Sequence, residues 1–153
     1  MNVTLEAVGT VRNTRTHTGD EDWAGVESVI EIAPPFAAAL EGLEQWSHVV
    51  VLFWMHRDPG GEPPPADWRR RPRGRADMPL AGVFAQRGRL RPNVIGSTAA
   101  RIVRIEPGRL VVSGLDAIDG TPVLDLKPYA PVFDRVEEPR VPAWFDELMR
   151  GYF

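Results

Sequence analysis

The sequence contains no cysteine in 153 residues. Disulfides, thiolate metal sites, iron–sulfur clusters and a cysteine nucleophile are therefore excluded. Histidine is scarce too. His17, His48 and His56 lack the spacing of an HExxH-type site, which argues against zinc and leaves no metal expected. The longest apolar run, Val49 to Met55, is far shorter than the ~20 residues a membrane-spanning helix needs, so no membrane association is expected. The opening stretch MNVTLEAVGTVR has neither the basic start nor the apolar core of a signal peptide, which makes the cytoplasm the expected compartment. No GxGxxG or P-loop occurs, so the common phosphate cradles are absent. Lysine is almost missing: Lys127 is the single lysine among 18 basic residues.

What remains is an ordinary soluble composition, 43% hydrophobic and 25% charged. The length suits one domain over residues 1–153, with a core over about 5–131 and a C-terminal helical tail over about 140–153. Charge is unevenly spread. Residues 66–104 hold ten arginines against Asp67 and Asp77, a net +8, while the rest of the chain carries −11 of a total −3. A basic block on an acidic chain suits phosphate groups, and equally suits a proteome that prefers arginine throughout.

Alternation in Val3, Leu5 and Ala7 predicts a half-buried strand ending near Arg12, and Val26, Ser28, Ile30 and Ile32 predict a second. Residues 34–44, opening on two prolines and rich in alanine and leucine, predict one short helix. The continuous apolar run 47–56 predicts a fully buried central strand. Residues 57–79, full of Pro, Gly and Arg, read as a long loop. Short strands are expected over 81–85, 99–106, 110–115 and 121–126, with a turn at Glu106-Pro107-Gly108-Arg109. A helix is expected over 142–149, with Trp144, Phe145 and Leu148 on one side. Six or seven short strands and two short helices add up to a mainly β chain folded as a small closed antiparallel barrel.

Two stretches carry candidate chemistry. In Gly82 to Gly96, Arg87, Arg89 and Arg91 alternate and would share one side of an extended segment. There they could hold a carboxylate or phosphate by paired hydrogen bonds, or simply form a solvated basic edge. In Gly114 to Tyr129, Asp116, Asp119 and Asp125 could accept hydrogen bonds, and an aspartate in a partly dry cleft could serve as general base. Alternatively, Asp119 only shapes its turn with Gly120, and Asp125 only pairs with Lys127. His56, at a strand end, is either a site residue or a hydrogen-bonded structural one. Trp23 either stacks on a flat ring such as adenine or caps the core beneath its loop.

Taken in order, four blocks resemble the TrmO/TsaA-like family of tRNA methyltransferases. They are Val8-Gly9-Thr10-Val11-Arg12-Asn13; Gly42-Leu43-Glu44-Gln45-Trp46-Ser47-His48 running on to Val51-Leu52-Phe53-Trp54-Met55-His56; the arginine stretch from Gly82 to Gly96; and the stretch from Leu115 through Asp119-Gly120-Thr121-Pro122 to Tyr129. Their order is more specific than any one of them. The resemblance implies a β-barrel that works as a homodimer and binds S-adenosylmethionine near the subunit boundary. It also implies methylation of the exocyclic nitrogen of a threonylcarbamoyl-modified adenosine beside the tRNA anticodon. By motif position, cofactor contacts fall on Arg87, Ser97, Gly114, Leu115 and Asp116, and near His56 and Arg57, with Trp23 as a further candidate. Asp119, with Asp116 as its alternate, is the candidate proton acceptor. Arg91 or Arg89, beside Arg87, is a candidate for binding the substrate's carboxylate or a phosphate.

The sequence also departs from the family pattern. A Pro-Arg-Gln in the first loop is replaced by Asp20-Glu21-Asp22-Trp23, and Thr-Arg-Ser-Pro by Gln86-Arg87-Gly88-Arg89. The Pro before Ile-Gly is replaced by Val94, and many members carry a C-terminal extension. Two other readings share the barrel: a methyltransferase for a small-molecule acceptor, and a binding protein without turnover. The apolar Trp144, Phe145, Met149, Tyr152 and Phe153 are candidates for a dimer surface.

Overall fold

The computed structural model describes residues 1–56 and 65–153. Its strands, in chain order, are β1 (Gly9–Arg12), β2 (Glu27–Ile32), β3 (His48–Trp54), β4 (Arg69–Arg70), β5 (Ala81–Gly82), β6 (Ile95–Glu106), β7 (Arg109–Ser113) and β8 (Pro122–Pro128). Two short helices follow, α1 (Pro131–Asp134) and α2 (Ala143–Leu148). Six strands close an antiparallel barrel in the order β1-β2-β7-β6-β3-β8, with β8 pairing back onto β1; β4 and β5 form a separate two-residue ladder. The closed barrel expected from the sequence is thus the fold observed.

Period-two patterning builds the barrel wall. On β3, Val49, Val51 and Phe53 are buried while Val50, Leu52 and Trp54 are less so, with Trp54 45% exposed. The run is therefore a one-sided wall strand rather than a strand buried on both faces. Its length of unbroken apolar residues hid the alternation. The inward set meets inward partners across the ladder: Val49 opposite Ala100, Val51 opposite Thr98, Phe53 opposite Gly96. A Cβ added to Gly96 would lie 2.4 Å from the Phe53 ring, so the ring rests on bare backbone there. Val11, Ile30, Leu110, Val112 and Val123 complete the core, and Leu40 closes one end.

Other expectations need correction. Val3 and Leu5 are exposed and outside any strand, because pairing with β2 and β8 begins only at Gly9. The helix expected over 34–44 is two 3-10 segments, Pro34–Leu40 and Leu43–Gln45, split where Gly42 adopts φ +88°. The described part of the 57–79 loop contains β4 and a 3-10 turn at Pro72–Gly74, and residues 83–85 form a 3-10 turn rather than strand.

Strand direction then sorts the connections. Because every neighbour is antiparallel, the ends of β1, β3 and β7 lie beside the starts of β2, β6 and β8. The connections 13–26, 55–94 and 114–121 therefore all emerge on one rim. The opposite rim carries 33–47 and the two-residue turn at Pro107 and Gly108.

Candidate functional site

The long-loop rim is where the sequence motifs meet. The strand β6 links two of them. Arg87 Nη2 donates to the Ser97 carbonyl oxygen at 2.6 Å, and the hydroxyl of the next residue, inward-facing Thr98, donates to Asp116 Oδ1. The second oxygen of Asp116 accepts from the Tyr152 hydroxyl at 2.7 Å. Arg87 and Asp116, distant in sequence, thus bond to consecutive residues, Ser97 and Thr98, of one strand.

Asp116 is reached because β7 ends at Ser113 and the next residue, Gly114, turns the chain with a φ of +79°. Leu115 is fully buried in the core, backbone and side chain alike, so it supports the site from beneath. The turn that follows is fastened by Asn13. Its amide group donates to Ser28 Oγ and to the Ala117 carbonyl, both at 2.8 Å, and its Oδ1 accepts from Arg15 N at 2.9 Å. Asn13 N also donates to Asp119 Oδ1 at 3.2 Å, while Asp119 N donates to the Arg15 carbonyl at 2.7 Å. Asp119 therefore shapes its turn, as one reading of the sequence had it; its Oδ2 takes no partner among the described residues. At Gly120, a Cβ would lie 3.8 Å from His56 Nε2, which brings the end of β3 against this turn. Asp125 pairs with Lys127 at 2.7 Å. Arg57 lies outside the described residues.

The arginine stretch is not extended. A 3-10 turn at Val83–Ala85 and a bend holding Val94 at φ +45° interrupt it. Arg87 is exposed, whereas Arg89 and Arg91 are partly buried. Arg91 Nη1 donates to the carbonyls of Gln86 (3.1 Å) and Gly88 (2.9 Å), which closes the loop on itself. The shared face expected from alternation does not form, and Arg91 is spent on loop shape instead of facing outward with Arg87.

Trp23 is 2% exposed. Its indole N–H donates to the Gly19 carbonyl at 2.8 Å, and the Arg15 guanidinium lies over its ring at 4.7 Å. Of its two readings, capping the core is the one observed; an adenine cannot stack on a ring covered in this way. Sequence reasoning overlooked what covers it. Asp22 N and Trp23 N donate to the carbonyls of Gly151 and Tyr152, each at 3.0 Å. Arg75 bonds Asp77 and, at 2.9 Å, Glu147 of α2, while Arg73 pairs with Asp20 at 3.4 Å and lies 6.0 Å over the Tyr152 ring. Residues 143–153 thus fold back onto the rim. Burial and the neighbouring Asp116 charge push the Tyr152 hydroxyl well above the usual phenol range. Tyr152, half-buried, therefore turns toward Asp116, and Leu148 of the same segment is buried. Thr98, Asn13 and Tyr152 are the site residues the sequence reading passed over. Only Asn13 left a local trace, as the last residue of the first motif.

At the opposite rim, a shallow hollow of about 310 Å³ lies between residues 37–44 and 105–108 and includes Glu41, Glu44 and Glu106. It touches none of the motif residues of the long-loop rim.

Comparison with known proteins places the fold in a family. The family model for the tRNA-methyltransferase O N-terminal domain matches residues 18–135. The chain belongs to the TrmO family. Crystal structures of TrmO from Pseudomonas aeruginosa superpose on the TrmO-like barrel described above; one has a TM-score of 0.73 at 35% identity, covering 92% of this chain and 62% of that one. Among curated relatives, RcsF of Pseudomonas aeruginosa, provisionally named an S-adenosylmethionine-dependent methyltransferase, is 49% identical over 113 residues, 72% of this chain and 48% of its own. A human protein named tRNA (adenine(37)-N6)-methyltransferase is 40% identical over 102 residues, 63% of this chain and 21% of its own. The chain spans about half or less of the length of these curated relatives. No described helix is long and apolar enough to cross a membrane.

Proposed function

We propose that this chain binds S-adenosylmethionine at the long-loop rim and directs its methyl group to the exocyclic nitrogen of a threonylcarbamoyl-modified adenosine in tRNA. It would do so as a homodimer in the cytoplasm. The observation that carries the reading is the meeting of Arg87 and Asp116 on consecutive residues of β6. The donor set suits the cofactor. An exposed guanidinium complements a carboxylate, and a fixed aspartate anion complements an amino group, a ribose hydroxyl or a sulfonium. Gly114 would add backbone groups, with Leu115 fixing its position from the core and Ser97 holding Arg87 through its carbonyl, and His56, with Arg57, would flank them.

When bound, the cofactor supplies an electrophilic methyl group. This chain's own residues supply alignment, which is most of the task in an in-line displacement. Asp116, held at both oxygens, is a fixed anion and suits binding. Asp119 keeps Oδ2 for a proton from the attacking nitrogen, the role of a general base. Arg87 orients the cofactor's or substrate's carboxylate. The outward, cross-strand pair Trp54 and Ile95, 45% and 38% exposed, offers an apolar surface to a second subunit.

The test is to incubate the protein with labelled cofactor and either total tRNA or a small-metabolite extract, followed by mass spectrometry of tRNA nucleosides. Label on the threonylcarbamoyl-modified adenosine is expected, with Arg87→Ala reducing the rate about 100-fold in a folded protein, as loss of one oriented charged contact does. Label only in the metabolite fraction would reassign the acceptor. Cofactor binding with no transfer to either would leave a binding protein.

A further inference from the structure

Resting on that reading, we infer that Tyr152 is a positioning residue of the cofactor site, holding the Asp116 carboxylate through its hydroxyl. The residues of the four motif blocks do not complete this site. Asp116 is an acceptor with two oxygens, and each has one side-chain donor: Thr98 from inside the barrel and Tyr152 from outside. A carboxylate fixed at both ends cannot swing, so it meets an incoming ligand already oriented.

The placement of Tyr152 is itself built. Gly151 and Tyr152 accept from the backbone of Asp22 and Trp23, Arg73 covers the phenol ring, and Glu147 is bound by Arg75. These partners lie in the first loop, where Asp20-Glu21-Asp22-Trp23 replaces the family's usual residues, and in the arginine-rich stretch. The 143–153 segment, the divergent first loop, Arg73 and Arg75 thus form one assembly, which reaches Asp116 through the Tyr152 hydroxyl.

Calorimetric titration of S-adenosylmethionine into the full chain and into Tyr152→Phe, Asp116→Asn and the double variant tests this. The ring stays in Tyr152→Phe, so only the hydrogen bond is lost. Binding weaker by about tenfold is expected for Tyr152→Phe, with the far-ultraviolet spectrum unchanged. Tyr152→Phe should add nothing further in the Asp116→Asn background, because the effect runs through that carboxylate. Unchanged binding, tighter binding, or an effect that persists undiminished in the Asp116→Asn background would overturn the inference while leaving the proposed function standing. Absence of binding to the unaltered chain would overturn both. Hydrogen exchange on the unaltered protein serves should Tyr152→Phe fail to fold. Cofactor should then slow exchange at Asp22 and Trp23, the amides that hold Gly151 and Tyr152; protection confined to residues 114–116 would overturn the assignment.

Discussion

The two rims of this barrel are built by different physics. The rim of residues 33–47 and 107–108 has a two-residue turn and a link of 3-10 segments that inserts an apolar plug, Leu40, into the core. The rim of residues 13–26, 55–94 and 114–121 carries the longest connection, 55–94, and polar atoms fasten its described part: Asn13 to three elements, Asp116 to two, and arginines to loop carbonyls and carboxylates. Apolar contacts add up and tolerate the loss of one partner. Polar contacts at a rim are few, directional and separately removable. The long-loop rim buries Trp23, Leu115 and Ile118 as well, so its polar contacts are laid over an apolar base, and it is those contacts that can change with the loops while the wall stays the same.

That contrast is most sharply broken at Leu40. Leu40→Ala should cost about 2–5 kcal/mol of unfolding free energy, the range for a buried leucine truncated in a packed core. Denaturant titration would measure it. Protein still folded should keep its cofactor affinity, because the plug lies at the opposite rim from Arg87 and Asp116. A large loss of affinity in the folded fraction would mean that the rims are coupled.

The next effect is at Asn13. Asn13→Ala removes two donors and one acceptor from the long-loop rim and leaves fully buried Ser28 without that donor. A loss of about 1–3 kcal/mol is expected, the scale for a buried polar group left unsatisfied. Hydrogen exchange should rise at the amides of Arg15 and Asp119, whose bonds belong to this knot, and remain slow in β3 and β6. Equal loosening of β3 would show that the knot is part of the wall.

The same division explains what could be read from the sequence. Wall strands announce themselves through period-two patterning, so β2, β6, β7 and β8 were legible to within a few residues and the closed barrel followed. Errors arose where pattern and partner parted company. Val3 and Leu5 alternate but have no strand beside them, and the unbroken apolar run of β3 concealed that Val50, Leu52 and Trp54 face outward. The rim obeys no period. Arg87 and Asp116 stand out as charged residues of two Gly-bounded stretches, but Ser97 could be named only because its motif resembles a family's. The alternation of Arg87, Arg89 and Arg91 misled because Val94 and the 83–85 turn bend the segment. Thr98 and Tyr152 were invisible. Nothing local in a sequence says that a tyrosine near position 150 meets an aspartate at 116; that contact exists only once the barrel has closed and the 143–153 segment has docked.

The smallest expected effect concerns that docking. Tyr152 ionises near 10 when unfolded, but folded burial and the Asp116 charge hold its hydroxyl protonated to higher pH. A group whose folded pKa is raised contributes stability that is fully present below its unfolded value and declines as pH climbs above it. The unaltered chain should therefore lose at most about 1 kcal/mol more than Tyr152→Phe between pH 10 and 11, since the phenol is partly exposed and solvent screens it. In a chain of this size that corresponds to about 2–4 °C in Tm. Below pH 9 the gap between the two proteins should be constant, because neither state titrates at Tyr152 there. A gap that instead widens on acidification would place the controlling proton on a carboxylate and not on the phenol. The long-loop rim would then be held by its ion pairs, Arg75 with Asp77 and Glu147 foremost, more than by the hydroxyl that meets Asp116.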